Sequence, residues 1–366
     1  MRAAVVIEQC WHRVPGGTAS AVIDQVAAVA ETGRIEQVGV AARHVRPPPD
    51  AWRPGLPVHH HLPLPRLPLY WSWHLARWPT VERATGPVDV IHATGYAIPP
   101  RTVPLVVTLH DLAWRRDRQM FTRNGALFFD AALRCVVKDA DLVLCPSLAT
   151  MADCEAAGIG RDRLRHVPWG MTLLDVTDEA VAHARRRFGL TGRYVLSVGT
   201  LEPRKNLPRL LEAFARLAQD DVTLVVVGPE GWGEVLAGKV EAVRHRLRLT
   251  GFVPRSLLAP LYRGASVVCY PSLWEGYGLP VAEAMGAGAP VVTSAGTATE
   301  ELVEGGAGIA VDPRDVDAIA GAISEVLDDD ELAERLRKAG RERAAATTWA
   351  TTAERTIAAY EEVAGR

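Results

Sequence analysis

The chain alternates short runs of Val, Ile, Leu and Ala with longer amphipathic stretches, and it does so twice. Residues 3–7, 38–41, 88–91, 105–109 and 142–145 read as buried strands, with helical patterns such as 18–31 and 125–138 between them. A polar stretch at 172–178 interrupts the pattern, which restarts with strands at 194–198, 222–227, 249–253, 267–270 and 290–293. Such alternation predicts an α/β chain whose parallel sheets are covered by helices. At 366 residues it suits two domains. The expected division is 1–172, 173–346 and a last segment, 347–366, crossing back to the first domain. Final helices are read at 331–346 and 350–363, and a Pro-rich segment at 46–69. In sheets of this kind ligands gather at the carboxyl ends of the strands.

Composition narrows the classes. Hydrophobic residues make up 48%, enough for a sizeable core and against disorder. A formal charge of −2 gives no general pull towards nucleic acid. Cys10, Cys135, Cys145, Cys154 and Cys269 are scattered, odd in number and without metal-ligand spacing, so reduced thiols and a cytoplasmic location are expected. The apolar start at 3–7 is too short for a signal peptide. No run approaches the ~18 apolar residues of a spanning helix, which leaves peripheral contact at the inner face of a membrane.

The most specific segment is Glu275-Gly276-Tyr277-Gly278-Leu279-Pro280-Val281-Ala282-Glu283. A strand ends just before it, a glycine-rich turn follows, and Pro280 suits the first turn of a helix. Backbone N–H groups at Gly278 and Leu279, beside a positive helix end, can hold phosphate without a cationic side chain. Glu283, one turn in, can accept two ribose hydroxyls. Read alone, Glu283 is equally a favourable acid near a helix start.

A second strand-to-helix turn carries Gly199-Thr200-Leu201-Glu202-Pro203-Arg204-Lys205-Asn206, with Asn206 or a neighbour as the expected cap. Its paired cations could stabilise a departing diphosphate, although a solvated Arg-Lys pair is the ordinary alternative. His110 closes a buried strand, where it could bind a sugar hydroxyl, exchange a proton or serve the structure. Gly16-Gly17 precede the first helix without a full dinucleotide fingerprint, so a dehydrogenase is poorly supported.

Together these segments resemble the retaining glycosyltransferases of family 4, whose GT-B fold sets two Rossmann-like domains with parallel sheets facing across a cleft. Glu275 and Glu283 match the family's E-x7-E motif, and Arg204-Lys205-Asn206 its cationic turn, with Lys205 at the diphosphate-binding lysine. By the same resemblance Gly16 and Gly17 fall on the N-terminal glycine loop, and His110 on the histidine that contacts the transferred sugar. Val253 lies in a segment like the one that meets the nucleobase, and residues 228–233 resemble the flanking loop. Thr200 departs from the family, where Arg often follows this glycine, which puts more weight on Arg204.

The resemblance implies a metal-independent transferase with no cofactor, its nucleotide-sugar donor being a co-substrate. Arg204, Lys205, Glu275 and His110 are the expected catalytic set. Thr200, Val253, Gly276, Tyr277, Gly278, Leu279 and Glu283 join Gly16, Gly17 and the two cations on the donor. Attack would be front-face, the leaving phosphate oxygen helping to take the acceptor proton. A hexose is the expected cargo, with GDP-mannose the first donor, and the acceptor a glycan, lipid-linked or small molecule. A nucleotide-sugar epimerase and a non-catalytic nucleotide-sugar-binding subunit stand as alternatives. Residues 62–78 concentrate Trp and Tyr with Arg66 and Arg77, composition that fits either a membrane interface or a packed core.

Overall fold

The small and β-branched runs become parallel strands whose residues are buried on both faces, as helix-covered sheets require. The computed structural model describes every residue except 13–15, 57–58, 232–239 and 366. It separates into two compact units, Met1–Gly170 with Thr348–Arg366, and Met171–Thr347.

The first unit holds seven parallel strands: β1 (Arg2–Val6), β2 (Glu36–Ala41), β3 (His59–His61), β4 (Val90–Ala93), β5 (Leu105–Thr108), β6 (Leu142–Cys145) and β7 (Leu164–His166), in spatial order β3-β2-β1-β4-β5-β6-β7. Strand order reverses around β1. Helices α1 (Gly16–Glu31), α2 (Arg66–Trp71) and α3 (Arg123–Asp139) are among those that cover it. Thr122 caps α3 by accepting from the Gly125 N–H.

The last helix, Trp349–Ala364, completes this unit. Ala353, Ile357, Tyr360 and Val363 recur at helical spacing and pack with Ala3, Val29, Val90, Val106 and Leu144. Its polar groups are matched to the unit as well. Gln25 Nε2 donates to Thr356 Oγ1 at 2.9 Å, and the Tyr360 hydroxyl meets His92 Nδ1 at 2.7 Å, both buried. Gly170 allows the helix to start so close: a Cβ there would lie 2.2 Å from the Trp349 nitrogen.

The second unit has β8 (Tyr194–Val198), β9 (Thr223–Val227), β10 (Leu247–Gly251), β11 (Val267–Tyr270), β12 (Val291–Ser294) and β13 (Ile309–Val311), ordered β10-β9-β8-β11-β12-β13 and all parallel. Helix α4 (Leu207–Ala215) follows β8 and α5 (Leu279–Ala287) follows β11. Its ends meet in a hydrogen bond of 2.7 Å from Met171 N to Thr347 O. The architecture is therefore the expected pair of Rossmann-like units.

Sequence patterning misses the short outer strands. β3 is three histidines and β7 is Leu-Arg-His, so neither carries an apolar run, and β13, Ile-Ala-Val, is three residues long and only half-buried. The strand expected at 88–91 lies two residues later, at Val90–Ala93, and that expected at 249–253 lies two earlier. In β10 only Leu247 is buried, so burial supplies no run to align on. The segment 62–78 divides by face. Leu69, Tyr70, Trp73 and His74 are buried, whereas Leu67, Trp71, Leu75 and Trp78 are exposed. Among the described residues no helix is long and apolar enough to cross a membrane.

Candidate functional site

Two neighbouring strand-to-helix turns of the second unit meet in a cluster of buried and half-buried polar side chains. After β8 the chain runs through a single helical turn, Pro203–Lys205, into Asn206, whose backbone is left-handed at φ 58°. Asn206 occupies the cap position of α4 but does not cap it. Its Nδ2 instead donates to Pro271 O at 2.9 Å and Pro313 O at 2.6 Å, tying three loops together. Leu273 N donates to Arg204 O at 2.8 Å, which fixes the second turn against the first.

That contact brings the motif cations onto the motif acid. Lys205 Nζ lies 2.7 Å from Glu275 Oε1, and Arg204 Nη1 lies 3.0 Å from Glu275 Oε2. Arg204 Nη2 also pairs with Glu202 Oε1 at 2.7 Å. The Tyr270 hydroxyl sits inside the cluster, accepting from Lys205 at 2.5 Å and donating to Glu275 at 2.9 Å. Glu275 is 8% exposed, and burial alone would raise its pKa. The charges of Arg204 and Lys205 override burial and hold the carboxyl at about 2. Burial, then the like charge of Arg204, draw the Lys205 ammonium below the usual lysine range. Two cations, two carboxylates and one phenol thus form a connected set of ion pairs and hydrogen bonds.

The glycine-rich turn ends at Gly278, φ 103°, where a Cβ would also come within 2.4 Å of Thr299 Cγ2. Only glycine suits both demands. Leu279 opens α5 and Pro280 stands in its first turn, as expected. Glu283, on α5, accepts from the Tyr262 hydroxyl at 3.1 Å and lies 3.9 Å from Arg255. Tyr277 is buried, with 3% exposed. Gly276 is buried, Thr200 is half-buried, and Val253 is buried just beyond the end of β10. In the loop after β9, Trp232 and Gly233 lie outside the described residues.

The remaining expected residues belong to the first unit. Gly16 and Gly17 are exposed and open α1, whose first N–H groups have no partner within the helix. Val14 and Pro15, before them, lie outside the described residues. His110, just past β5, joins its Nε2 to Thr94 O at 2.7 Å, so that nitrogen carries the proton. Its ring lies 5.2 Å from that of Trp169, and its buried Nδ1 has no hydrogen-bond partner among the described residues. Burial lowers its pKa, making it a neutral imidazole with an available acceptor nitrogen.

Tyr270, Glu202 and Tyr262 were not singled out in sequence. The one available sign was Tyr270's place as the last residue of a strand leading into the motif.

Both units match known protein families. Residues 179–343 match the family described as Glycosyl transferases group 1, and residues 16–170 match the Glycosyl transferase 4-like domain. The O-antigen chain mannosyltransferase B of Escherichia coli is 31% identical over 287 residues, covering 74% of each chain. A D-inositol 3-phosphate glycosyltransferase of Geodermatophilus obscurus is 36% identical over 314 residues, covering 77% of this chain and 68% of its own. Among solved structures, Anabaena HepE in complex with UDP and glucose superposes with a TM-score of 0.77 at 21% identity, over 98% of both chains.

Proposed function

This chain belongs to the GT4-like glycosyltransferases of GT-B fold, and from that membership we propose a retaining, metal-independent transfer of a hexose from a nucleotide-diphosphate sugar. The first donor is GDP-mannose, a choice supported by similarity to a protein named as a mannosyltransferase. The acceptor presents a hydroxyl on a glycan, a lipid-linked sugar or a small molecule.

The observation that carries this reading is the joining of Arg204 and Lys205 to Glu275 beside the Gly278–Leu279 turn. Positive charge held in place before the donor arrives needs little reorganisation when the diphosphate leaves. In this reading Arg204, Lys205 and the backbone N–H groups of Gly278 and Leu279 take the diphosphate. Glu283 takes the ribose hydroxyls and the backbone near Val253 meets the base. Thr200 and the Gly276-Tyr277 backbone line the donor. Glu275 already neutralises two cations, so it orients a sugar hydroxyl and those cations and does not act as a nucleophile. His110 offers the transferred sugar its unoccupied Nδ1.

The exposed Leu67 and Trp71 of α2, with Leu75 and Trp78 in the segment after it, suit peripheral contact with the inner face of a membrane, in a chain working in the cytoplasm. The test is a donor panel, with and without candidate acceptors, read by release of nucleoside diphosphate. Acceptor-dependent release unaffected by EDTA is expected. Strict metal dependence, or isomerised donor without any acceptor, overturns the proposal.

A further inference from the structure

Three strand ends of the first unit converge on a cavity that none of the motif residues lines. It measures about 400 Å³ and is lined by Trp11, His44, Arg46, Arg53 and His61, with Val45, Pro47 and Pro48. That size falls within the roughly 300–1,000 Å³ of small-molecule sites. Trp11 follows β1, His44 follows β2 and His61 ends β3, so the cavity stands at the carboxyl edge of the sheet, where ligands of such folds bind.

Its wall is fixed from behind. Glu8, 1% exposed, accepts from Ala42 N at 2.7 Å and from His44 Nε2 at 2.9 and 3.0 Å. His44 is therefore held by its Nε2–H, and its ring lies flat on Trp11, centroids 4.7 Å apart and planes 6° off parallel. The Trp11 indole N–H donates to Arg46 O at 2.9 Å, just before Pro47 and Pro48 stiffen the loop. His61 Nδ1 donates to Ala42 O at 2.7 Å and sets its ring edge-on to the other two.

The electrostatics of the lining run one way. It contains two guanidinium groups, two imidazoles and no carboxylate. Glu8 is spent behind the wall. Arg53 shares a pair at 2.9 Å with exposed Asp50, a contact solvent weakens, and Arg46 has no ion pair among the described residues. Arginine forks match the oxygens of phosphate and carboxylate, and the ring wall suits the apolar face of a sugar.

We propose that this cavity holds the anionic end of a sugar acceptor, one carrying a phosphate or carboxylate, against Arg46 and Arg53. The proposal deepens the transferase reading and rests on it for the word acceptor; the binding itself does not.

The test is calorimetry on the full chain with glucose 6-phosphate, glucuronate, glucose and inorganic phosphate. The comparison is the Arg46→Gln, Arg53→Gln double variant, both residues being exposed and outside the donor machinery. Glucose 6-phosphate is expected to bind the native chain and to lose about tenfold or more in the variant, as charge-assisted contacts do. Glucose and inorganic phosphate, each lacking half of the recognised group, should bind at least about tenfold more weakly. Glucuronate binding as well as glucose 6-phosphate makes the site one for either anion; weaker binding makes it a phosphate site. No binding of either anionic sugar, equal affinity in the variant, or glucose binding as tightly overturns the proposal. Nucleotide-sugar binding in the same preparations separates the two readings. Its loss alone removes the transferase reading, and its retention without sugar-phosphate binding removes the cavity.

Discussion

The two units share a parallel-sheet architecture but treat buried polar groups in opposite ways. Apart from Glu8, which His44 and the Ala42 N–H answer, the first unit encloses mostly neutral histidines. Desolvation holds His12 and His74 at about 4 and His92 at about 3, and it lowers His110 as well. The second buries charge, with Arg204 and Lys205 neutralised by Glu275 and Glu202. A neutral imidazole needs one hydrogen-bond partner and little else. A buried ion needs its counter-ion and every lone pair answered. The second unit therefore keeps buried charge ready for a doubly charged ligand, whereas the first buries hydrogen bonds and rings and leaves its cavity cations, Arg46 and Arg53, exposed.

The units also differ in what completes them, and that difference yields the largest expected effect. Truncation before Thr348 would expose Ala3, Val90, Val106 and Leu144 of the first unit. Its sheet should fail to hold, read as loss of protease resistance in residues 1–170, while 171–347 stays protected. Equal resistance of both units in the truncated chain would break the comparison.

Smaller but still large, Glu275→Gln leaves two buried cations short of a counter-ion. It should cost the second unit about 3 kcal/mol, seen as a lower urea midpoint there and none in the first unit. An unchanged midpoint would mean that Glu202 and Tyr270 suffice.

Acid gives the smallest contrast and the sharpest order. The buried histidines have pKa values below their ordinary 6.5, so their contribution is full above that pH and fades as pH falls towards 3–4. Glu275, lowered from 4.5 to about 2, keeps its contribution down to about pH 4.5 and loses it below. Hydrogen exchange across pH 6.5 to 3 should show the first unit opening at higher pH. Earlier opening of the second would contradict the assignment of these groups.

Much of this was legible in sequence where chemistry and pattern are local. The central strands announced themselves because they are buried on both faces, and Gly278-Leu279-Pro280 marked its turn because few residues permit one. The pairing of Lys205 with Glu275 joins residues 70 positions apart, and no periodicity carries that. Asn206 looked like a cap because Asn often caps, yet the two carbonyls of Pro271 and Pro313 claim its amide. The aromatics of 62–78 read as either core or interface, and the segment divides, with Tyr70 and Trp73 buried and Trp71 and Trp78 exposed. The cavity beside Trp11 was invisible for another reason: His44, Arg46, Arg53 and His61 follow no motif and meet only when three strands align.

The central claim is that the buried cations of the second unit are there for a diphosphate. Calorimetric titration of GDP and UDP into the native chain and Lys205→Ala tests it most directly, with guanosine and uridine as controls. At least one diphosphate should bind the native chain and weaken by about tenfold or more in the variant, the nucleosides being indifferent to the change. A diphosphate bound equally by both would contradict the account.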